Sequence, residues 1–422
     1  MAVTNLAQDH HATVIEQAEH RRPMKPKIDL VYFNAGGGHR AAALALEEAI
    51  VAQGWPWQVR LVNLAEALDP KDRFRRAVGL APEDLYNFRL ARGWTLGLAQ
   101  ELRLLQAAIR MAHGPIVRRL VSHWAETEPD LVVSLIPNFN RALCESLALA
   151  CPGVPYVTVL TDLADLPPHF WIEPHQQQHI VCGTSEAVAQ AERAGYSAER
   201  IRRVSGMLLR QAFYEPAAVD KVAMRTSLGL EAHEPTAVVM YGGCGSSDML
   251  DVARALPSLQ LVLLCGRNAR LARRLRALPG DGGQRLVVEF TQDVPTYMRV
   301  ADFFIGKPGP GCLSEALHLG LPVITFGNEW TMPQERFNVR WVREQGVGLA
   351  LRSTRQLPEA VITLLAGLPR FAQRAHQMRN RASFEVPQIL AGLLERSRQV
   401  VRDLHLLRPV HHGARATQEV LP

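Results

Sequence analysis

Residues 306–311 have the composition of an anion-binding turn. They read Gly-Lys-Pro-Gly-Pro-Gly, follow an apolar run that begins at Phe303, and precede a helical pattern that starts near Cys312. The three glycines leave backbone amides uncovered, and the N-terminus of the following helix carries a partial positive charge. Such a turn suits a diphosphate. A glycine turn that only permits tight packing is the alternative.

Polar residues follow this turn at distances that suit the rest of a nucleotide sugar. Glu315 falls in the first turn of the predicted helix, where its carboxylate could accept hydrogen bonds from both hydroxyls of a ribose. The segment 328–338 then supplies amides and carboxylates that match sugar hydroxyls, among them Gln334, Glu335 and Asn338. This stretch predicts a nucleotide-sugar pocket, and a second glycine turn far upstream, at residues 36–38, supports that interpretation over simple packing.

Parallel strands must position these turns, because such turns bind ligands at the carboxyl ends of the strands. Short apolar runs alternate with helical patterns along the chain, which is typical of an α/β protein. The predicted strands are residues 28–33, 59–64, 131–136, 156–161, 179–182, 237–241, 259–265, 286–290, 303–306 and 322–326. We therefore predict two Rossmann-like domains that face a central cleft.

The predicted boundaries divide the chain into four parts. A disordered segment covers residues 1–26, a first Rossmann-like domain covers 27–208, and a second Rossmann-like domain covers 209–387. The last part, residues 388–422, is predicted to be a helix that packs back on the first domain, followed by a polar tail.

Composition limits the functional classes. The 422 residues are 47% apolar and 21% charged, as in a soluble enzyme of two domains. A formal charge of +6 gives little support to nucleic-acid binding. Arginine carries most of the positive charge, because lysine is rare. Genome composition could also explain the rarity of lysine. Six cysteines without a CxxC pair indicate a reducing compartment and no structural zinc.

The N-terminus lacks the apolar stretch of a signal peptide. No run approaches the ~20 apolar residues that a spanning helix needs. We expect a cytoplasmic protein that rests on the cytosolic face of a membrane.

The sequence resembles the GT-B glycosyltransferases, and more closely the monogalactosyldiacylglycerol synthase and processive diacylglycerol glucosyltransferase group. That group is related to the enzyme that adds N-acetylglucosamine to the peptidoglycan precursor. The resemblance covers residues 27–384 and rests on four motifs. Two lie in the first half of the chain: Gly36-Gly37-Gly38-His39, and Leu160-Thr161-Asp162 with His169 and Trp171. Two lie in the second half: Cys265-Gly266-Arg267-Asn268, and Lys307-Pro308-Gly309-Pro310-Gly311 with Glu315, Gln334, Glu335 and Asn338. Two departures stand out. The group usually has Pro-Gly-Gln-Glu where this chain has Met332-Pro333-Gln334-Glu335. The acid–histidine spacing around Asp162, Asp165 and His169 is also stretched.

The resemblance implies an inverting transfer of a hexose from a UDP-sugar to a hydroxyl of a lipid such as diacylglycerol. It also implies that the domain 27–208 binds the acceptor and that the domain 209–387 binds the UDP-sugar. His39 is the candidate base, because a helix N-terminus disfavours imidazolium; it could instead bind the diphosphate or cap the helix. Asp162 is the rival base, or holds a neighbouring amide. No Asp-x-Asp occurs, so we expect neither a metal nor a cofactor. The predicted donor contacts are Gly38, Gly243, Arg267, Gly309, Gly311, Glu315, Gln334, Glu335 and Asn338.

Residues 85–105 interleave aromatic and leucine side chains with arginines, which suits contact with an anionic membrane. The predicted acceptor or membrane residues are Trp94, Arg103, His169 and Trp171. An ordinary amphipathic helix packed on the sheet would have the same pattern.

Several alternatives use other enzyme classes. A transferase with a soluble acceptor and a UDP-sugar 2-epimerase both fit the scaffold, although an epimerase needs no acceptor insert. An oxidoreductase is disfavoured because GxGxxG is absent after the first strand. A nucleotide-sugar sensor without enzymatic activity stays open.

Overall fold

The computed structural model describes residues 25–34, 37–71, 98–215, 220–279, 282–329 and 331–406. The segment 1–26, predicted to be disordered, lies outside these residues except for Lys25 and Pro26. Within the described residues the chain forms two parallel sheets of six strands each. The predicted α/β class with two Rossmann-like units is confirmed.

The first sheet is built from the N-terminal half of the chain. Its strands are β1 (Lys27–Tyr32), β2 (Gln58–Asn63), β3 (Leu131–Ser134), β4 (Tyr156–Val159), β5 (His179–Cys182) and β6 (Ile201–Arg203). Their spatial order is β2-β1-β3-β4-β5-β6, so the order reverses between β1 and β3. The side chain of Val133 packs on one face and that of Val132 on the other, which makes this sheet buried on both sides.

Helices cover both faces of the first sheet. They are α1 (Gly38–Ala52), α2 (Leu64–Leu68), α3 (Leu98–Met111), α4 (His113–Thr127), α5 (Asn140–Ala150) and α6 (Ser185–Arg193).

The second sheet has the strand order of a dinucleotide-binding fold. Its strands are β7 (Thr236–Met240), β8 (Gln260–Leu264), β9 (Arg285–Val288), β10 (Phe303–Gly306), β11 (Val323–Phe326) and β12 (Gly348–Leu351). The order β12-β11-β10-β7-β8-β9 reverses between β7 and β10. Val239 and Val238 point into the two cores that flank this sheet.

The helices of this half are α7 (Lys221–Ser227), α8 (Asp248–Ala255), α9 (Ala269–Arg276), α10 (Val294–Arg299), α11 (Pro310–His318), α12 (Arg336–Gln345), α13 (Leu357–Ala366) and α14 (Leu368–Gln377). Helix α11 begins at Pro310, two residues before the predicted start. Proline suits a first helical position because its missing N–H would have no partner there.

The last helix, α15 (Ala382–Leu406), returns to the first sheet. Its residues Leu390 and Leu393 pack in the same core as Leu30 of β1. Two hydrogen bonds fix the crossing to the segment that joins the domains: Asn380 Nδ2 donates to Met207 O at 2.8 Å, and Ser383 Oγ donates to Leu209 O at 2.7 Å. The helix begins six residues before the predicted start at Gln388.

Strands β6 and β12 were not predicted. Both lie at a sheet edge and are only three and four residues long. Pairing with the neighbouring strand, rather than a strong apolar pattern, defines them. None of the described helices is apolar over a length sufficient to cross a bilayer.

Candidate active site

The candidate site lies where the strand order of each sheet reverses. Loops at the carboxyl ends of adjacent strands diverge there and leave a crevice. In the first sheet this point lies between β1 and β3, and helix α1 with His39 begins beside it. In the second sheet it lies between β7 and β10, where the glycine turns at 242–245 and 306–311 emerge.

His39 is the second residue of α1 and is held from two sides. The Thr161 hydroxyl and His39 Nδ1 share a hydrogen bond of 3.2 Å. The imidazole ring lies 5.8 Å from the indole of Trp171, measured between ring centroids. Burial lowers the pKa of His39 to about 4, against a smaller opposing effect of the Leu135 carbonyl. The imidazole is therefore neutral at pH 7, as the sequence predicted, but burial is the main cause.

Asp162 follows β4 and is 7% exposed. Its Oδ2 accepts a hydrogen bond of 2.8 Å from the indole Nε1 of Trp171. Burial raises the pKa of Asp162 to about 7, and the charge of Glu335 in the second half of the chain adds to the rise, while Trp171 and Lys307 oppose it. Asp162 thus feels charges that belong to the opposite wall of the crevice.

Trp171 was predicted to meet the acceptor or the membrane. Its side chain is completely buried, so it does not face a bilayer. The indole instead donates a hydrogen bond to Asp162 and lies against the His39 ring. His169 is exposed, and its backbone has a left-handed φ of 63°.

The glycine turns after β7 and β8 pack directly on each other. Gly266 has φ 58°, and a Cβ atom there would lie 2.2 Å from the carbonyl oxygen of Gly243. Arg267 N donates to the same oxygen at 2.9 Å. The Arg267 guanidinium lies 4.2 Å above the Phe290 ring at the surface. The backbone of Gly243 is therefore fixed by its neighbours before any ligand arrives.

The turn after β10 carries an ion pair whose carboxylate is buried. Lys307 Nζ lies 3.3 Å from Glu335 Oε1, and Glu335 is 5% exposed. A Cβ atom at Gly309 would lie 3.1 Å from Lys307 Cε. Lys307, whose direction the sequence did not reveal, thus lies along the glycine turn and against Glu335. Gly311 has open space around its Cα.

Glu315 lies in the second turn of α11, not the first, because the helix begins at Pro310. Burial raises the pKa of Glu315 to about 7, and the charge of Arg210 opposes the rise. Arg210 belongs to the segment between the domains, where it pairs with Glu48 of α1 at 3.2 Å. No motif pointed to Arg210.

Two other residues predicted to contact the donor have different surroundings. Asn338 is completely buried, and its Nδ2 donates to Pro308 O at 2.7 Å. It ties α12 to the glycine turn. Gln334 is half-buried, and its Nε2 lies 3.7 Å from Met332 Sδ. Met332 is one of the departures from the usual motif of the group.

Helix α3 has some side chains that pack beside the crevice and others that are exposed at the surface. Leu102 packs against the core that contains Trp171, and Gln106 Nε2 donates to Asn138 Oδ1 at 3.1 Å. On the same helix, Leu104, Leu105 and Met111 are 69%, 50% and 82% exposed. Trp94 lies outside the described residues, and so does the side chain of Arg103.

The described residues contain no cluster of histidine, cysteine or carboxylate side chains that could hold a metal ion.

Comparison with known proteins identifies sequence relatives. Residues 246–392 match the glycosyltransferase family 28 C-terminal domain. The chain is 28% identical to a chloroplastic monogalactosyldiacylglycerol synthase of Spinacia oleracea over 80% of its own length and 66% of that protein. It is 27% identical to monogalactosyldiacylglycerol synthase 1 of Arabidopsis thaliana over 79% of its own length and 64% of that protein. The chain thus spans about two thirds of the length of these relatives.

Solved structures share the fold. MurG of Acinetobacter baumannii superposes with a TM-score of 0.55 at 13% identity, over 87% of this chain and 100% of MurG. The glycosyltransferase SnogD of Streptomyces nogalater gives a TM-score of 0.51 at 18% identity, over 88% of this chain and 100% of SnogD. The chain has the GT-B fold, and the resemblance predicted from its motifs is confirmed.

Proposed function

We propose that this relative of the monogalactosyldiacylglycerol synthases is an inverting glycosyltransferase, which moves a hexose from a UDP-sugar to a hydroxyl of a lipid acceptor. One observation carries the proposal: Asp162 of the first domain lies within the electrostatic reach of Lys307 and Glu335, which belong to the glycine turn and its partner in the second domain. A base and an anion site thus face each other across the crevice, as an inverting displacement requires.

The acceptor proton goes to Asp162. Its pKa of about 7 matches the operating pH, where a base combines sufficient ionisation with sufficient basicity. His39 has a pKa of about 4, so it is a much weaker base, and its hydrogen bond to Thr161 suits a polar contact with donor or acceptor. The acceptor oxygen attacks the anomeric carbon, and UDP leaves from the opposite face with the bonding electrons.

The second domain stabilises the leaving diphosphate without a metal ion. The amides of the turn at 306–311, the N-terminus of α11 and the ammonium of Lys307 all lie at one place. Fixed dipoles and charges of this kind need no reorganisation as negative charge develops. Glu315 takes the ribose hydroxyls, and Gln334 and Glu335 take the sugar hydroxyls.

The lipid acceptor reaches the crevice from a membrane surface on the cytosolic side. The exposed leucines and methionine of α3 supply apolar contact, and Arg110 on the same helix can meet an anionic headgroup. Leu102 and Gln106 of the same helix pack on the crevice wall. A hydroxyl at the membrane surface would therefore lie close to Asp162.

The test measures UDP release from a panel of UDP-sugars with and without diacylglycerol vesicles, with products identified by mass spectrometry. We expect UDP release that depends on the lipid, survives EDTA and yields a hexosylated lipid. The Glu315→Ala variant should bind UDP and every UDP-sugar more weakly, because all of them share the ribose. UDP release without lipid, or only with a soluble acceptor, would exclude the lipid transfer; activity lost in EDTA and restored by Mg²⁺ would exclude metal independence.

A further inference from the structure

The loop between β4 and β5 contains a second buried carboxylate that does not point into the crevice. Asp165 is 6% exposed and faces its own loop. Its Oδ1 accepts from Trp171 N at 2.6 Å, and its Oδ2 accepts from His169 N at 3.1 Å. A carboxylate that accepts two backbone N–H groups holds the intervening chain in one conformation.

Other side chains add to the hydrogen bonds by which Asp165 holds this loop, and we call the whole set the brace. Gln190 of α6 binds both backbone groups of Asp165: Asp165 N donates to Gln190 Oε1 at 2.7 Å, and Gln190 Nε2 donates to Asp165 O at 3.1 Å. The completely buried Asn140 donates to Trp171 O at 2.9 Å. Trp171 is thus held at its N–H, its carbonyl and its indole.

The loop needs such a brace because its backbone is unfavourable. His169 has a φ of 63°, a left-handed conformation that non-glycine residues rarely adopt. Such a residue persists only where its surroundings over-determine the conformation. The hydrogen bond from His169 N to Asp165 is one of those constraints.

We propose that Asp165 is a positioning residue of the proposed transfer: its carboxylate fixes residues 169–171 so that the indole of Trp171 stays between Asp162 and His39. This role rests on the proposed function. It gives the longer spacing between Asp162 and His169 a purpose, since the additional residues carry the brace. Asp165 touches neither donor nor acceptor and acts only through Trp171.

The experiment compares Asp165→Asn with Trp171→Phe and wild type. In protein labelled with ¹⁵N-tryptophan, the indole N–H resonance that disappears in Trp171→Phe identifies Trp171. We expect that resonance to shift or broaden in Asp165→Asn, and kcat to fall about 10²-fold, the size of a small misplacement at a reacting centre. UDP affinity should stay unchanged.

Asp302→Asn is the matched control, because Asp302 also holds backbone, accepting from Thr236 N at 2.8 Å, but at the amino end of β10. It should lower the melting temperature without moving the Trp171 resonance or kcat at temperatures where it is folded. A folded Asp165→Asn protein with the wild-type resonance and kcat would overturn the proposal. If wild type releases no UDP, the transfer is refuted while the resonance still tests the brace.

Trp171→Phe supplies a second readout if Asp165→Asn does not fold. Removing the indole N–H takes away a hydrogen bond to the carboxylate of Asp162, so the acidic limb of the kcat profile should move to higher pH. The charged groups that face Asp162 in this variant are Asp165, Lys307 and Glu335, and none of them changes. An unmoved acidic limb would contradict the link from Trp171 to Asp162.

Discussion

Burial acts in opposite directions on the two candidate bases. It disfavours the charged form of each, so the pKa of Asp162 rises to about 7 and the pKa of His39 falls to about 4. At neutral pH the histidine is neutral, and the aspartate is partly ionised and basic enough to accept a proton. Burial thus gives different proton affinities to two residues that both contact the Trp171 indole.

This separation predicts different pH behaviour for variants at the two positions. Turnover should rise as pH increases through about 7, because Asp162 must lose its proton to act. Asp162→Asn should lower kcat by about 10²–10⁴-fold and remove the acidic limb. His39→Ala should keep that limb, because the group that titrates is still present. A profile that loses its acidic limb in His39→Ala and keeps it in Asp162→Asn would return the role of base to the histidine.

At this scale the sequence identified residue types better than their tasks. Asp162 and His39 were found because each follows a strand next to a motif. Asp165 was noted only for its spacing beside Asp162 and His169, and no role was assigned to it, because a carboxylate that binds nearby backbone N–H groups has no sequence signature. The pairing of Lys307 with Glu335 joins residues 28 positions apart, and only the fold brings them together.

At the scale of elements, the buried strands were predictable because parallel strands are continuous apolar runs. The run at His179–Cys182 has the predicted bounds. The edge strand β12 was not predicted, because it begins with glycine and most of its residues are half-buried. The start of α11 was misplaced because Pro310 was assigned to the turn, and this error put Glu315 one helical turn too early.

Helix α3 has both packed and exposed apolar side chains. One face packs on the first domain through Leu102, while Leu104, Leu105 and Met111 stay exposed. Exposed leucines next to each other are costly in water unless a partner covers them. The proposed partner is an anionic bilayer.

Replacing Leu104 and Leu105 by serine should therefore weaken binding to anionic vesicles. Burying one leucine gives about 1.5–3 kcal/mol, so each replacement should lower the partition coefficient by about 10- to 150-fold. Co-sedimentation at low and high salt measures the effect. Ile362→Ser is the control, because Ile362 is 70% exposed on α13 of the second domain. Equal losses in the control and in the α3 variant would show that α3 has no special part in vesicle binding.

At the scale of the whole molecule, the two domains are tied by the chain itself. Helix α15 leaves the second domain and completes the core of the first. Leu163 and Phe337, from opposite domains, pack in one small cluster beside the crevice. The relative position of the crevice walls thus depends on contacts far apart in sequence. The return of the last helix was predicted, whereas no local motif pointed to the contact of Leu163 with Phe337.

The charges of the second domain should consequently set the titration of Asp162 in the first. Glu335 raises the pKa of Asp162 and Lys307 lowers it. Lys307→Met should move the acidic limb of kcat to higher pH, and Glu335→Gln should move it to lower pH. Removing either partner also frees the other, which adds to the shift in the same direction.

These profiles are measured at saturating UDP-sugar, so that weaker donor binding does not enter kcat. Lys221→Met is the matched control, because Lys221 pairs with Asp302 at 2.7 Å at the amino end of the same sheet. Its acidic limb should coincide with that of wild type. Opposite shifts in the two crevice variants would mean that the base senses the donor site across the crevice. Shifts of the same sign in both variants would mean that the base lies elsewhere, because no single carboxylate beside this ion pair could respond in that way.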